Sequence, residues 1–190
     1  MMKIFPKYFG FLTILLLMIN SRNDLFSLLN GSENIGIELG VAKGRYSKTM
    51  VDSGKFSKVY GVDRYTDHHD SKEYISAISY IGLDKPYVLI RSTFDEALTL
   101  FEDGYFDFIY VDGYAHTGQE EGKTLYSWYR KLKKNGVFAG HDYHEKWHLT
   151  KKSVDDFVAE NNLTLNITSE ENDEKNCLYP SWYVLKYFYD

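Results

Sequence analysis

From residue 34 onward, short apolar runs alternate with stretches whose apolar residues recur at helical spacing, and that alternation leaves few architectures open. Strand and helix in regular succession build a mostly parallel sheet, because each parallel return needs a crossover and the crossover helix covers the sheet. Five strands are predicted: Asn34 to Leu39, Lys58 to Val62, Tyr87 to Ile90, Phe106 to Val111 and Gly136 to Gly140. Helices are expected over Gly44 to Ser53, Ser71 to Ile81, Phe94 to Phe101 and Thr117 to Leu132. In the last of these, Leu125, Trp128, Tyr129 and Leu132 form a core-facing stripe. A further amphipathic helix is expected over Thr150 to Asn161, with Thr150 as its N-cap and Val154, Phe157 and Val158 on one face. Two β patterns close the chain, Leu163 to Thr168 and Trp182 to Phe188. The polar link between them, Ser169 to Asn176, carries no helical pattern, so the pair is expected to be antiparallel.

A chain of 190 residues can bury one sizeable core and leaves little for a second. We read residues 34–190 as the α/β domain and 1–33 as an N-terminal helical segment. Within that segment Lys3 and Lys7 precede an apolar run from Tyr8 to Ile19, which has the flanks of a signal-like or anchoring sequence. The run is shorter than the about 20 residues of a membrane span, and no small-x-small cleavage pattern follows it. A docked amphipathic helix is the expectation, with no stable membrane span. Asp24 begins a second helical pattern through Leu25, Phe26, Leu28 and Leu29 that ends at Asn30-Gly31. The net charge of −5, with Lys and Arg scattered, argues against a nucleic-acid partner. The lone Cys177 fits a reducing, cytoplasmic setting.

In open parallel sheets, ligands bind beyond the carboxyl ends of the strands, where strand order reverses. After the first strand comes IELGVAKG, in which Gly40 and Gly44 permit a tight turn and Glu38 can attract an ammonium group. The second ends in Asp63, 23 residues after Gly40, where a nucleotide ribose finds an acidic partner. That spacing suits a dinucleotide as well. Past the third lie Ser92, Thr93 and Phe94, a set suited to an adenine edge and face, or to a helix N-cap. The fourth delivers Asp112 and, four residues on, His116; the fifth delivers His141 and Asp142 to the neighbouring place.

Together, IELGVAKG, VYGVD, FDFIYVDGYAH and KLKKNGVFAGHDY resemble the motifs of class I S-adenosylmethionine-dependent methyltransferases, and most closely the methyltransferase domain 24 family, over roughly residues 34 to 187. The resemblance implies a three-layer α/β/α sandwich whose seven-stranded sheet has the order 3-2-1-4-5-7-6 with strand 7 antiparallel. It also implies that Glu38, Gly40, Val41, Gly44, Asp63, Ser92, Thr93, Phe94 and Asp112 hold S-adenosylmethionine. Many family members carry a third glycine where this chain has Ala42. Relatives often hold a divalent cation after strands four and five; here Asp112 and Asp142 match those places, and His141 stands where a carboxylate is common. Imidazole suits transition metals better than Mg²⁺.

The expected activity is methyl transfer to an oxygen of a small molecule or sugar, with Asp112 and His116 catalytic: His116 takes the hydroxyl proton, or a cation on Asp112, His141 and Asp142 acidifies it. Three other readings stand beside it. An NAD-dependent oxidoreductase would use the same glycine turn and distal acid, although G-x-G-x-x-G is absent. A methyltransferase-like protein without methyl transfer would keep the fold alone. His144-Glu145-Lys146-Trp147-His148 also satisfies the zinc-peptidase pattern, which works only when both imidazoles share one helical turn.

Overall fold

The computed structural model describes residues 19–66, 69–169 and 178–187. Most of the Tyr8 to Ile19 run, Cys177 and most of the Ser169 to Asn176 link lie outside them. The elements in chain order are a 3-10 helix (Arg22–Leu28), β1 (Asn34–Leu39), α1 (Arg45–Asp52), β2 (Phe56–Asp63), α2 (Ser71–Ile81), β3 (Tyr87–Arg91) and α3 (Phe94–Leu98). They continue with β4 (Phe106–Val111), a one-turn segment α4 (Gly118–Glu121), α5 (Lys123–Tyr129), β5 (Leu132–Gly140), a short 3-10 turn (Glu145–Trp147), α6 (His148–Glu160), β6 (Asn166–Ile167) and β7 (Trp182–Leu185). The sheet has seven strands in the order β3-β2-β1-β4-β5-β7-β6. All pairings are parallel except β5 with β7 and β6 with β7. This is the order and the reversed strand that the resemblance implies.

Strand alternation divides the core between the two faces of the sheet. Ile37, Leu39, Ile109, Val111 and Phe138 belong to a cluster with Trp128 of α5 and Phe157 of α6. Phe108, Tyr110, Val137 and Ala139 belong to a second cluster with Met50 of α1, Ile81 of α2 and Phe26 of the N-terminal 3-10 helix. Helices on both faces explain why these strands carry apolar residues at successive positions.

Five expectations need correction. The helix expected over Thr117 to Leu132 is broken: residues 118–122 all have positive φ, from 53° at Glu120 to 88° at Gly122, so α5 starts only at Lys123. A Cβ on Gly118 would come within 2.5 Å of the Leu149 carbonyl oxygen, so close packing against α6 keeps a glycine there and the helix from continuing. Leu132 itself belongs to β5, which starts earlier than expected. Thr150 is not a cap, because α6 begins two residues earlier and the buried Thr150 hydroxyl donates to the Ala115 carbonyl at 3.0 Å, tying α6 to the segment after β4. The helix expected from Asp24 begins at Arg22 and is of 3-10 type; Asp24 accepts from the Ser21 N–H at 2.9 Å. The closing strands, Asn166–Ile167 and Trp182–Leu185, are shorter than their β patterns.

Candidate active site

The sheet's carboxyl ends are held in one row by backbone hydrogen bonds that extend each ladder past its last paired residue. Ser92 N–H donates to the Asp63 carbonyl (3.2 Å), Gly40 to Val62 (2.9 Å), Asp112 to Leu39 (2.7 Å) and His141 to Val111 (3.0 Å). Above this row opens a cavity of about 610 Å³, within the range of small-ligand sites.

The turn after β1 forms its floor. Gly40 has φ +96°, and a Cβ there would lie 2.0 Å from the Asp112 carbonyl oxygen, so only glycine lets β1 and β4 meet at this level. Gly44, with φ +77°, precedes α1 and closes the turn through its N–H to the Val41 carbonyl at 2.8 Å. Asp63 fastens the turn from the side: one carboxylate oxygen accepts from the N–H groups of Val41 (3.0 Å) and Ala42 (2.9 Å), the other from Tyr65 N–H (3.0 Å). The Tyr65 hydroxyl donates to the Ala42 carbonyl at 2.8 Å. Sequence reasoning offered Asp63 as a ribose partner; the structure adds that it organises the turn.

Glu38 is buried and receives a hydrogen bond from Ser47 of α1, whose oxygen lies 2.9 Å from the Tyr87 hydroxyl. Burial pushes its carboxyl up to about 8, against the lowering effects of the Ser47 hydrogen bond and the Arg22 charge. Asp112 is raised too, chiefly by burial, while His141 and Arg22 oppose the shift. His141 Nδ1 lies 3.0 Å from an Asp142 oxygen and 3.6 Å from an Asp112 oxygen. One donor atom from each of the three falls within 4.8 Å of the others.

Of the predicted residues, Glu38, Gly40, Val41, Asp63, Ser92, Thr93, Phe94 and Asp112 line the cavity, as do His116 and Asp142. Gly44 and His141 are not among the lining residues. The cap reading of the Ser92 to Phe94 set holds, because Thr93 is the N-cap of α3, with its hydroxyl accepting from Glu96 N–H at 3.2 Å. His116 is exposed, edge-on to Trp147 with ring centroids 4.8 Å apart. The His144 to His148 pattern makes no zinc site: His144 has extended backbone and accepts from Lys146 N–H, whereas His148 opens α6. Neither belongs to a three-donor group among the described residues.

Sequence reasoning missed Arg22, Tyr46, His69 and Glu73, which also line the cavity. Glu73 accepts from His69 at 2.5 Å and faces Lys43 at 3.3 Å. Arg22 opens the 3-10 helix before β1, Tyr46 and Glu73 lie in the first turns of α1 and α2, and His69 precedes α2; nothing in the local pattern marks these positions as facing a ligand. Four strand-end loops each hold a non-glycine residue in the left-handed region: Ala42 (φ 45°), Tyr65 (51°), Tyr114 (60°) and Asp142 (60°). Such positions cost about 1–2 kcal/mol each and gather where a binding surface dictates backbone direction.

A search of curated proteins returns no match. Among solved structures, a methyltransferase-like protein of Streptococcus mutans in complex with SAH is 15% identical with a TM-score of 0.63, covering 86% of this chain and 94% of that one. An rRNA-methylase-like protein from Clostridium thermocellum is 12% identical with a TM-score of 0.65, covering 88% and 94%. Spermidine synthase from Thermotoga maritima is 16% identical with a TM-score of 0.62, but only 57% of its chain is covered. At these identities the likeness is one of fold, and the last name warns that the fold alone does not fix the reaction. The family evidence is more specific: residues 35–143, which hold every strand end described above from β1 to β5, match the profile described as "Methyltransferase domain". The chain therefore belongs to this methyltransferase family, of class I fold.

Proposed function

We propose that this chain binds S-adenosylmethionine in the cavity and transfers its methyl group to an oxygen of a small acceptor. The observation that carries the reading is the order of the walls: Ser92 to Phe94 beyond β3, Asp63 at the end of β2, then Glu38 near the end of β1 and Asp112 beyond β4. An elongated ligand laid along that row would meet adenine, ribose and amino-acid partners in sequence. Phe94 would offer its ring to the base, and Asp63 would accept from a ribose hydroxyl with the one of about four acceptor sites that its backbone partners leave over. Glu38 and Asp112 would receive the ammonium. Bound there, the donor supplies an already activated methyl on a sulfonium, so the protein's task is mainly alignment and proton removal.

His116 stands at the open side of the cavity, beyond Asp112. In its neutral form it would take the acceptor hydroxyl's proton on an imidazole nitrogen while that oxygen bonds to the methyl carbon. The carbon–sulfur bond breaks, its electron pair stays on sulfur, and a neutral thioether remains. Calorimetry with S-adenosylhomocysteine, followed by a screen of hydroxyl acceptors with isotopically labelled donor read by mass, tests the reading. Micromolar binding and an acceptor gaining one labelled methyl are expected; no binding of the adenosyl compound ends it.

One observation favours a metal-assisted variant. The oxygen, nitrogen and oxygen donors of Asp112, His141 and Asp142 are close enough to share one ion, and the mixed set suits a transition metal better than Mg²⁺. A cation held there would acidify a coordinated hydroxyl. Turnover that survives exhaustive chelation, with no metal retained by the purified protein, retires this variant.

A further inference from the structure

Arg22 comes from the segment that precedes the matched family region, yet its side chain reaches the cavity. The segment is firmly seated. Leu25 and Phe26 are buried, and the Phe26 ring lies 5.5 Å from those of Phe56 and Phe108 and 5.7 Å from Tyr46. The Tyr46 hydroxyl donates to the Arg22 carbonyl at 3.0 Å, and the guanidinium carbon lies 4.7 Å from the centre of the Tyr46 ring. One guanidinium nitrogen is 3.5 Å from an Asp112 oxygen. The other permanently cationic side chains that line the cavity, Lys43, Arg45 and Arg64, belong to exposed residues, whereas Arg22 is 7% exposed.

A buried guanidinium is costly unless opposite charge faces it. Asp112 supplies one such charge. Glu38, buried near the end of β1, is the second acid close enough to feel the Arg22 charge. Arg22, Glu38 and Asp112 all line the cavity at the β1 and β4 ends, so one cationic and two acidic side chains meet at that end. Groups of both signs at one end of the cavity are what the two charges of a zwitterion require.

We propose that Arg22 binds the carboxylate of the donor's amino-acid end, a role that rests on the donor reading above. The planar guanidinium matches a carboxylate in a paired, two-bond geometry that a lysine ammonium does not reproduce. The ammonium of the same ligand then faces Glu38 and Asp112, so the two ends of the zwitterion are sorted by sign. Arg22 thereby selects adenosyl compounds that keep their carboxylate, and the N-terminal segment becomes part of the donor site.

The test compares two ligands on the full chain, S-adenosylhomocysteine and 5′-methylthioadenosine, which lacks the amino-acid end. Loss of a charge-assisted pair predicts that Arg22→Ala weakens the first by about 10- to 100-fold and the second by less than about twofold. Arg22→Lys is expected to recover only part of that loss. Equal weakening of both ligands would make Arg22 a structural residue, and unchanged binding of the first would remove it from the site; either outcome overturns the role. If Arg22→Ala does not fold, as judged by its melting curve, Arg22→Lys decides by the same selective loss. A wild-type chain that binds methylthioadenosine but not S-adenosylhomocysteine overturns the carboxylate role alone, and one that binds neither overturns the donor reading as well.

Discussion

The cavity has two unlike halves. The wall beyond β1 and β2 is made of buried groups whose geometry is set by the backbone: Gly40 against Asp112, Asp63 against three N–H groups, Glu38 against Ser47. The rim beyond β4 carries His116, which is exposed, Tyr114, whose ring meets Phe94 of α3 edge-on at 5.1 Å, and Thr117, whose hydroxyl donates to the Tyr114 carbonyl within the same loop. A preformed wall suits a ligand that never changes, and a rim built from loops suits the partner that differs between relatives. Substitutions that displace the wall's backbone are therefore expected to cost stability and donor binding together, and those on the rim to cost rate alone.

The largest expected effect is at Gly40. Gly40→Ala places a Cβ where the Asp112 carbonyl oxygen stands, and the β1 and β4 ends must part. We expect a loss of roughly 3 kcal/mol or more, seen as a melting temperature lowered by ten degrees or so and no measurable binding of S-adenosylhomocysteine. A variant that melts like the wild type would show the wall to be soft, and the contrast with the rim would lapse. His116→Ala is the opposite case. Its turnover should fall by about 10²- to 10⁴-fold, with melting temperature and affinity for the adenosyl compound unchanged. Loss of affinity at constant rate would move His116 to the wall.

The same division decides what could be read from the residues. β1, β4 and α2 have the boundaries expected, because each is a clean apolar or helical pattern ended by glycine or a polar residue. The glycine turn was legible too, since it follows β1 directly, and so was Asp63, which closes β2, although that strand starts two residues earlier than expected. The rim was less so. The left-handed run at 118–122 is enforced by packing against α6, a contact made across 31 residues between Gly118 and Leu149 that local pattern does not encode. Arg22 was invisible for the same reason: its partner Asp112 is 90 residues away, and nothing around Arg22 distinguishes it from a surface arginine. Thr150 looked like a cap because its residue type fits one, but its hydroxyl serves the β4 loop.

Acidity sharpens the comparison further. Glu38, raised from 4.5 to about 8, binds its proton more tightly in the folded chain than in the unfolded one. Its contribution to stability is thus fully present below about pH 4.5 and is lost as pH rises through about 8. Asp112 is shifted in the same direction. An incoming ammonium favours the ionised form of Glu38, so donor affinity should move the other way and rise with pH. If binding requires that form, affinity at pH 7 lies about tenfold below its plateau, and one proton per ligand is released on binding. Calorimetry from pH 6 to 8.5 in two buffers of different ionisation enthalpy measures both quantities, and Glu38→Gln should flatten the profile. A flat profile in the wild type would mean that Glu38 does not face the ligand's charge.

The smallest expected effect tests whether the wall carries avoidable strain. Ala42 holds φ 45° in the turn, where many relatives of the family resembled carry glycine, and its N–H is committed to Asp63 and its carbonyl to Tyr65. Those two bonds fix the backbone direction, so alanine must accept a conformation that disfavours its Cβ by about 1–2 kcal/mol. Ala42→Gly removes that cost and adds unfolded-chain entropy of about 0.5–1 kcal/mol, for a net gain centred on about 0.7 kcal/mol and no larger than about 1.5 kcal/mol. Chemical denaturation should report a slightly higher midpoint at unchanged slope. Because the turn's hydrogen bonds belong to the backbone, donor affinity should stay within about twofold. A large gain in affinity would instead mean that the Ala42 methyl intrudes on the ligand, and that the wall is shaped by a side chain where it was argued to be shaped by the main chain.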